Sequence, residues 1–206
     1  MPPRLRALAE TWGGLAGKLL IAAWLGLALL GIASLGVSHT APMPEPTRAE
    51  RLAGALLALR EQAGRPFLVH VIYARCSCTQ RLFAHLVQRK ALPGTEEAIL
   101  FVGEDPGKRD RARAAGFRFL DITAPDLGKR FGLEVAPVLF AFDARGRMEY
   151  AGGYFDRPAA VTALDERVVA DLRRGSEPKA LPVYGCAVSA ALQKTVDPLG
   201  IVYGGG

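Results

Sequence analysis

The chain is poor in the residues that build metal centres and disulfide-rich miniproteins. It has three cysteines and three histidines in 206 residues. Three cysteines are too few for a four-thiolate zinc or iron–sulfur site, and too few for a small domain held together by several disulfides. The histidines, His39, His70 and His85, are spread along the sequence. Any sulfur chemistry must therefore come from a very small set of thiols.

Charge is also sparse. Charged residues make up 22% of the chain, and the formal net charge is +6. The arginines are scattered and no nucleic-acid-binding motif is found, so we expect no nucleic-acid partner. Hydrophobic residues reach 50%, which excludes wholesale disorder. The length suits one globular domain with appendages.

One long hydrophobic run lies near the N-terminus. Residues 19–37 carry no charge, and as a helix they would extend about 28 Å, close to the thickness of a bilayer core. Basic residues predominate before the run, which favours a cytoplasmic N-terminus and a periplasmic C-terminal part. A signal peptide cleaved after Ser38 is the alternative, although the run is longer than usual for one. We predict an uncleaved, single-pass inner-membrane anchor.

Composition divides the remainder into a spacer, a domain and an extension. Three prolines within residues 41–46 predict an extended spacer. Short apolar strands then alternate with helices, and a hairpin and another helix complete the domain. The predicted segments are a cytoplasmic N-terminus (1–18), the anchor (19–37), the spacer (38–46), a domain (47–175) and an extension (176–206).

The element pattern predicts an α/β fold with a central mixed sheet flanked by helices. The early alternation of strand and helix favours parallel pairing, and the hairpin adds antiparallel strands. Strands are predicted at 66–74, 98–103, 138–143 and 148–154, with a short extended run at 117–122; helices are predicted from the capping box at Thr47 to Gly64 and at 78–91, 108–115, 125–131, 156–174 and 188–194.

Two cysteines follow the first apolar strand, where a helix begins. A helix N-terminus offers free N–H groups and a favourable dipole, which lower the pKa of a thiol. With Ser77 as the N-cap, Cys76 would lie just outside the helix and be the more exposed, so we predict it to be the nucleophile. Cys78 is its resolving partner. Two redox models remain open: Cys76 and Cys78 form a labile pair with each other, or one of them pairs with Cys186 as a distal resolving thiol. The alternative for Cys186 is a buried small hydrophobe.

The segment HVIYARCSC resembles the strand-to-helix junction where thioredoxin-like proteins carry their redox cysteines, and residues 121–154 resemble the second half of that fold. The resemblance covers roughly residues 65–174. It implies a thioredoxin-like fold in a membrane-tethered protein of the bacterial envelope, a cis proline at Pro137 beside the cysteines, and a proton acceptor at His70. A buried, hydrogen-bonded core histidine is the alternative for that position. One residue, Ser77, separates the cysteines where the family has two.

We therefore predict a membrane-tethered protein that catalyses thiol–disulfide exchange through Cys76 and Cys78, without a cofactor. Its expected partners are proteins or small molecules that carry thiols or disulfides, and the anchor makes a membrane-bound electron donor a further candidate. One alternative is Cu(I) binding by the same two thiolates, although His85 is poorly placed to complete that site. The other is a non-catalytic interaction module.

Overall fold

The computed structural model describes residues 14, 16–32, 42–44, 50–158, 160, 162–200 and 202–203, with the side chains of residues 77 and 78 outside that description. The chain divides into two compact units, Met1–His39 and Thr40–Gly206. Each unit is described by itself below.

The N-terminal unit is represented by the helical residues 16–32, here α1. Its large apolar side chains are exposed, among them Leu20, Trp24 and Leu27. Within the described ranges, no helix combines the length and the apolar character needed to cross a membrane. Residues 33–37 of the predicted anchor lie outside the described residues, so the anchor stays a prediction.

The C-terminal unit alternates helices and strands as the sequence predicts. The elements are α2 (Glu50–Leu57), β1 (Phe67–Tyr73), α3 (Ser77–Arg89), β2 (Glu96–Val102), α4 (Pro106–Ala114), β3 (Arg118–Ile122), α5 (Ala124–Phe131), β4 (Val135–Ala136), β5 (Val138–Phe142), β6 (Met148–Gly152), α6 (Asp165–Arg173), β7 (Cys186–Ala187) and α7 (Ala190–Val196). The capping box expected at Thr47 lies outside the described residues.

Five strands form the central sheet in the order β3-β2-β1-β5-β6. Strand β1 pairs in parallel with β2, and β2 with β3, because α3 and α4 provide the crossovers that parallel neighbours need. Strand β5 is antiparallel to β1 and forms a hairpin with β6. A second small sheet pairs β4 with β7. The mixed central sheet predicted from the sequence is confirmed.

The sheet separates two apolar cores because side chains alternate along β1. Val69 and Val71 point to the face covered by α2, α5 and the C-terminal segment, which we call the cysteine face because Cys76 belongs to its core. Leu68 and Ile72 point to the face covered by α3, α4 and α6, which we call the histidine face because His70 lies there. Both cores are fully buried along β1.

The C-terminal segment from residue 176 onward, here the tail, packs into the cysteine face. Val183 and Val188 belong to its buried core. Met43, in the predicted spacer, donates its N–H to the carbonyl of Val183 at 2.8 Å. The segment predicted as an extension is therefore part of the same compact unit as the sheet.

Helix α6 is shorter than predicted. The sequence favours a start near Asp156, followed by Pro158, but the helix begins at Asp165. Leu164 precedes the helix and donates its N–H to the carbonyl of Tyr154 at 2.9 Å. The carboxylate of Asp165 is buried and ion-paired. These tertiary contacts, rather than the local N-cap signal, set where the helix begins.

Candidate active site

The first turn of α3 positions the cysteine motif. Cys76 adopts an extended conformation (φ −94°, ψ 123°) and is the residue that caps the helix, with Ser77 as the first helical residue. Its carbonyl accepts the N–H of Thr79 at 3.1 Å. The helix therefore begins one residue earlier than a Ser77 N-cap predicts. Cys76 stands directly at the helix N-terminus, where free N–H groups and the dipole favour a thiolate.

A disulfide joins Cys76 to Cys186 across 110 residues of sequence, with their Cα atoms 5.9 Å apart. The sequence had left open which cysteine pairs with the tail, and the structure selects Cys76. The side chain of Cys78 lies outside the described part of the chain, so its role as a resolving partner stays a prediction. Cys186 is thus brought into the site as a covalent partner.

The backbone of the tail pairs with the residues just before Pro137. Strands β4 and β7 are antiparallel, with Ala136 opposite Cys186 and Val135 opposite Ala187. The peptide bond between Ala136 and Pro137 is cis, which confirms the expectation from the resemblance. Pro137 therefore directly follows the residue that pairs with the disulfide-bonded Cys186. The predicted site residues Cys76, Pro137 and Cys186 are brought together.

The tail fits closely against this strand. A Cβ atom added at Gly185 would lie 2.3 Å from the carbonyl oxygen of Ala136, far inside van der Waals contact. Past the disulfide, the N–H of Val188 donates to the carbonyl of Glu134 at 2.7 Å. Such an approach requires glycine at position 185, where the sequence pattern alone predicts a turn.

The outer edge of β7 is covered by Gln193 of α7 and by Tyr203. The N–H of Ala187 donates to the hydroxyl of Tyr203 at 2.9 Å, and its carbonyl accepts from the side-chain amide of Gln193 at 3.1 Å. Ser189 caps α7 by accepting the N–H of Leu192 and donates its hydroxyl to Glu134. These bonds pair both backbone groups of Ala187, next to the disulfide, and attach the start of α7 to Glu134.

The two disulfide-bonded residues differ in exposure. Cys76 is 1% exposed, whereas Cys186 is partly exposed at the edge of the same core. The prediction compared Cys76 with Cys78, whose side chain lies outside the described part of the chain, so that comparison stays a prediction. In this disulfide-bonded state Cys76 itself is buried. The reason is the tail, whose packing on the cysteine face could not be read from the local helix-start pattern.

One residue of the motif region was not singled out by the sequence analysis. Thr79 is fully buried in the first turns of α3, and within the described part of the chain its Oγ1 finds no hydrogen-bond partner. An unpaired buried hydroxyl costs stability. The sequence gives little reason to single out Thr79 as a site residue, because threonine is tolerated in helices.

His70 lies on the histidine face, in the other core from Cys76. Its Nδ1 is 2.8 Å from the hydroxyl of Tyr154, and its Nε2 is 2.8 Å from a carboxylate oxygen of Glu97. Both ring nitrogens are therefore engaged away from the disulfide. This geometry matches the buried, hydrogen-bonded core histidine that the sequence also allowed.

The contacts of His70 extend into a buried ionic network. Arg89 donates to Glu97 at 2.6 Å and to Asp165 at 2.8 Å, and His85 lies 2.9 Å from Asp165. Leu92 donates its N–H to Glu97 at 2.7 Å. The network ties α3 and β2 to the start of α6, and sequence reasoning missed it because its members are far apart in the chain.

Burial and ion pairing shift the pKa values of the buried carboxylates in opposite directions. Burial raises the pKa of Asp165, but the hydrogen bond from His85 and the charge of Arg89 outweigh it and bring the pKa to about 2. For Glu97, burial is again outweighed by His70 and Arg89, and the pKa is lowered. The hydrogen bond to Asp165 raises the pKa of His85. Burial raises the pKa of Tyr154 well above its usual value.

This arrangement is suited to sulfur chemistry on the cysteine face. A disulfide at a helix N-terminus can be reduced to a thiolate that the helix stabilises. Across the described residues, no cluster of three histidine, cysteine or carboxylate side chains is arranged to hold a metal ion. The exposed Arg75 and Arg81 flank the motif in sequence and add positive charge.

Comparisons with known proteins show that this chain is similar to several solved structures in fold. No protein-family model matches the chain, and no curated protein does. A hypothetical protein from Sinorhizobium meliloti is similar in structure, with 22% identity and a TM-score of 0.51, over 74% of this chain and 93% of that one. An uncharacterized conserved protein from Geobacillus kaustophilus matches at 18% identity and a TM-score of 0.49, over 62% and 78%.

A secreted disulfide oxidoreductase from Mycobacterium tuberculosis matches at 16% identity and a TM-score of 0.35, over 52% of this chain and 83% of that one. The architecture itself, a central mixed sheet with helices on both faces, fits the thioredoxin-like fold predicted from the sequence.

Proposed function

We propose that this protein carries out thiol–disulfide exchange with Cys76 and Cys186 as its redox couple. The observation that carries the proposal is the disulfide between these residues at the N-terminus of α3, beside the cis Ala136–Pro137 bond. The reduced Cys76 would be a thiolate stabilised by the helix end, and Cys186 would be held close to it. Cys78, two residues further along, supplies a second thiol of the motif.

We propose further that residues 19–37 anchor the protein in the inner membrane and that the exchange takes place at its periplasmic face. The uncharged run and the basic residues before it support this orientation. The exposed leucines of α1 would then face lipid. An oxidising compartment is consistent with a disulfide in the resting state. Proteins or small molecules with thiols or disulfides are the proposed substrates.

Redox titration of the full-length protein in mild detergent tests the proposal. The protein is equilibrated in glutathione buffers of graded potential, its free thiols are alkylated, and the Cys76–Cys186 peptide is quantified by mass spectrometry. We expect reversible opening within the range that glutathione buffers span, and catalysis of exchange with a model dithiol. Cys76→Ser should abolish that catalysis. Full activity in this variant would overturn the assignment.

The burial of Cys76 favours one second candidate, a non-catalytic module in which the disulfide only fastens the tail. A structural disulfide of this kind resists reduction by glutathione, because its potential lies well below that of the glutathione pool. The same titration separates the two functions. A disulfide that stays closed at every glutathione potential, in a protein without exchange activity, would establish the structural role.

A further inference from the structure

The two cysteines joined by the disulfide differ in exposure. In thiol–disulfide exchange, a thiolate attacks one sulfur and the other leaves, so the reachable sulfur decides the direction of the reaction. Cys76 is 1% exposed within the apolar core of the cysteine face. Cys186 is partly exposed, in a two-residue strand at the edge of that core. Access therefore favours attack at Cys186.

The two sulfurs also differ as leaving groups. A thiol of lower pKa leaves faster, and a helix N-terminus lowers the pKa of a thiol. Cys76 caps α3, a helix of 13 residues, and so receives that stabilisation as it departs. Cys186 lies in β7 and does not itself cap a helix; the N-cap of the short helix α7 is Ser189, three residues later. Exposure and leaving ability thus both favour attack at Cys186 with Cys76 as the leaving group.

We propose that Cys186 is the sulfur at which a partner's thiol enters. This inference rests on the proposed function and makes it more specific. The partner's thiolate attacks Sγ of Cys186, a new disulfide forms between partner and Cys186, and the Cys76–Cys186 bond breaks to release Cys76 as a thiolate. The mixed disulfide is therefore carried by the tail, and Cys76 is the leaving group in this direction.

The second step restores the balance of electrons. A second thiol of the same partner, once deprotonated, attacks the partner's own sulfur in the mixed disulfide and releases Cys186 as a thiolate. The partner then holds one new disulfide, and the protein has gained two electrons as two thiols. In the opposite sense, the Cys76 thiolate attacks Sγ of Cys186 and expels the partner's thiol, which closes the original bond.

The tail geometry fits this role. Ala136 pairs with Cys186 through the backbone, and Val183 and Val188 are buried on either side of it along the tail. These contacts are made by the backbone and by apolar side chains rather than by the sulfurs. We expect them to keep Cys186 close to Cys76 after the bond opens, so that the closing step remains intramolecular and has a high effective concentration.

The test uses the oxidised, full-length protein with Cys78→Ser, which removes exchange between neighbouring thiols; Cys78→Ala is the second version if the first folds poorly. The protein is mixed briefly with excess glutathione, quenched in acid, alkylated and digested. Mass spectrometry then reports the cysteine that carries glutathione. We expect the adduct on Cys186 to exceed that on Cys76 by about tenfold or more.

The same reaction in concentrated guanidinium is the matched control, because unfolding opens both sulfurs and removes the helix, and adducts should then appear on both cysteines. In the folded protein, adducts mainly on Cys76, or equally on both, would overturn the entry at Cys186 and leave the proposed function standing. A folded disulfide that never reacts with glutathione would overturn the proposed function, and this inference with it.

Discussion

The two faces of the sheet attach distant parts of the chain in different ways. On the cysteine face, the tail is fastened by a disulfide and by backbone pairing with Ala136. On the histidine face, the start of α6 is fastened by ion pairs from Asp165 to Arg89 and His85. The first attachment responds to reduction and the second to pH. Since the sheet lies between them, we expect each to be altered without the other.

The largest effect is expected on the histidine face. Arg89→Ala would leave the carboxylates of Glu97 and Asp165 buried without their main cation. Removing one partner of a buried ion pair costs about 3 to 5 kcal/mol in free energy of unfolding. Urea unfolding of the full-length protein in detergent measures this loss. Arg113→Ala, an exposed arginine on α4, should change stability by less than about 0.5 kcal/mol.

The redox potential of the disulfide should be the same in Arg89→Ala as in the unchanged protein, which is the sharpest check of independence between the faces. A shift in that potential, at conditions where the variant is folded, would contradict the comparison. Arg89→Lys keeps the charge and should show a smaller loss of stability.

Opening the disulfide is expected to have the next largest effect. The bond closes a loop of 110 residues, and removing such a cross-link typically costs about 2 to 4 kcal/mol. Cys186→Ser and chemical reduction should lower the free energy of unfolding by similar amounts. If reduction leaves stability unchanged, the buried contacts of Val183 and Val188 alone hold the tail.

Lowering the pH should reduce the stability that the ion pairs of the histidine face provide. The pKa of Asp165 is about 2 in the folded protein and 3.8 as its ordinary value, so its stabilising contribution is complete above the ordinary pKa. That contribution is lost as the pH falls from about 4 towards 2. The shift corresponds to about 2 kcal/mol. Glu97, whose pKa is also lowered, acts in the same direction.

Free energies of unfolding at about pH 5 and about pH 2.5 check this expectation. Asp165→Asn should have a smaller difference between the two conditions than the unchanged protein. Asp110→Asn, on the exposed surface of α4, is the matched control and should keep the full difference. An equal difference in all three proteins would mean that the acid response arises elsewhere.

A smaller effect is expected where the tail meets β4. Gly185→Ala places a methyl group against the carbonyl of Ala136 and should weaken the docking of the tail by about 1 to 2 kcal/mol. The matched control is Gly54→Ala in α2, where a Cβ meets nothing within 4 Å. In reduced protein, Gly185→Ala should also slow closure of the Cys76–Cys186 bond, measured by quenched alkylation. Unchanged closure would show that the pairing does not hold Cys186 in place.

The smallest effect concerns Thr79. Thr79→Val keeps the shape of the side chain and removes the buried hydroxyl whose oxygen lacks a hydrogen-bond partner in the described part of the chain. Stability should rise by up to about 1 kcal/mol, measured by urea unfolding. A decrease, or a loss of exchange activity, would assign the hydroxyl a role in the site.

The sequence predicts the sheet well because its strands are short apolar runs. The expected strands at 66–74 and 138–143 correspond to Phe67–Tyr73 and Val138–Phe142. Strands β4 and β7 could not be predicted, since two residues give no periodicity. Their existence depends on tertiary contact between the tail and the segment before Pro137, and that contact decides which cysteine pairs with Cys186.

On the histidine face, too, the sequence pattern did not reveal the tertiary contacts. The resemblance to thioredoxin-like proteins implies a proton acceptor at His70, six residues before Cys76. The alternation of side chains along β1 places it in the opposite core, beside Glu97 and Tyr154. The burial and pairing of Glu97 and Asp165 could not be predicted, because a pattern of residues does not reveal which distant cation will pair with them.

The distance in sequence between Cys76 and Cys186 has a consequence for biosynthesis. The ribosome adds about 5 to 20 residues each second, and Cys186 lies 110 positions after Cys76, so it is made about 5 to 20 s later. During that interval Cys76 has Cys78 two positions away and no Cys186 to bond with. We expect newly made chains that meet an oxidant early to pair the neighbours first, so the native bond would then require a later rearrangement.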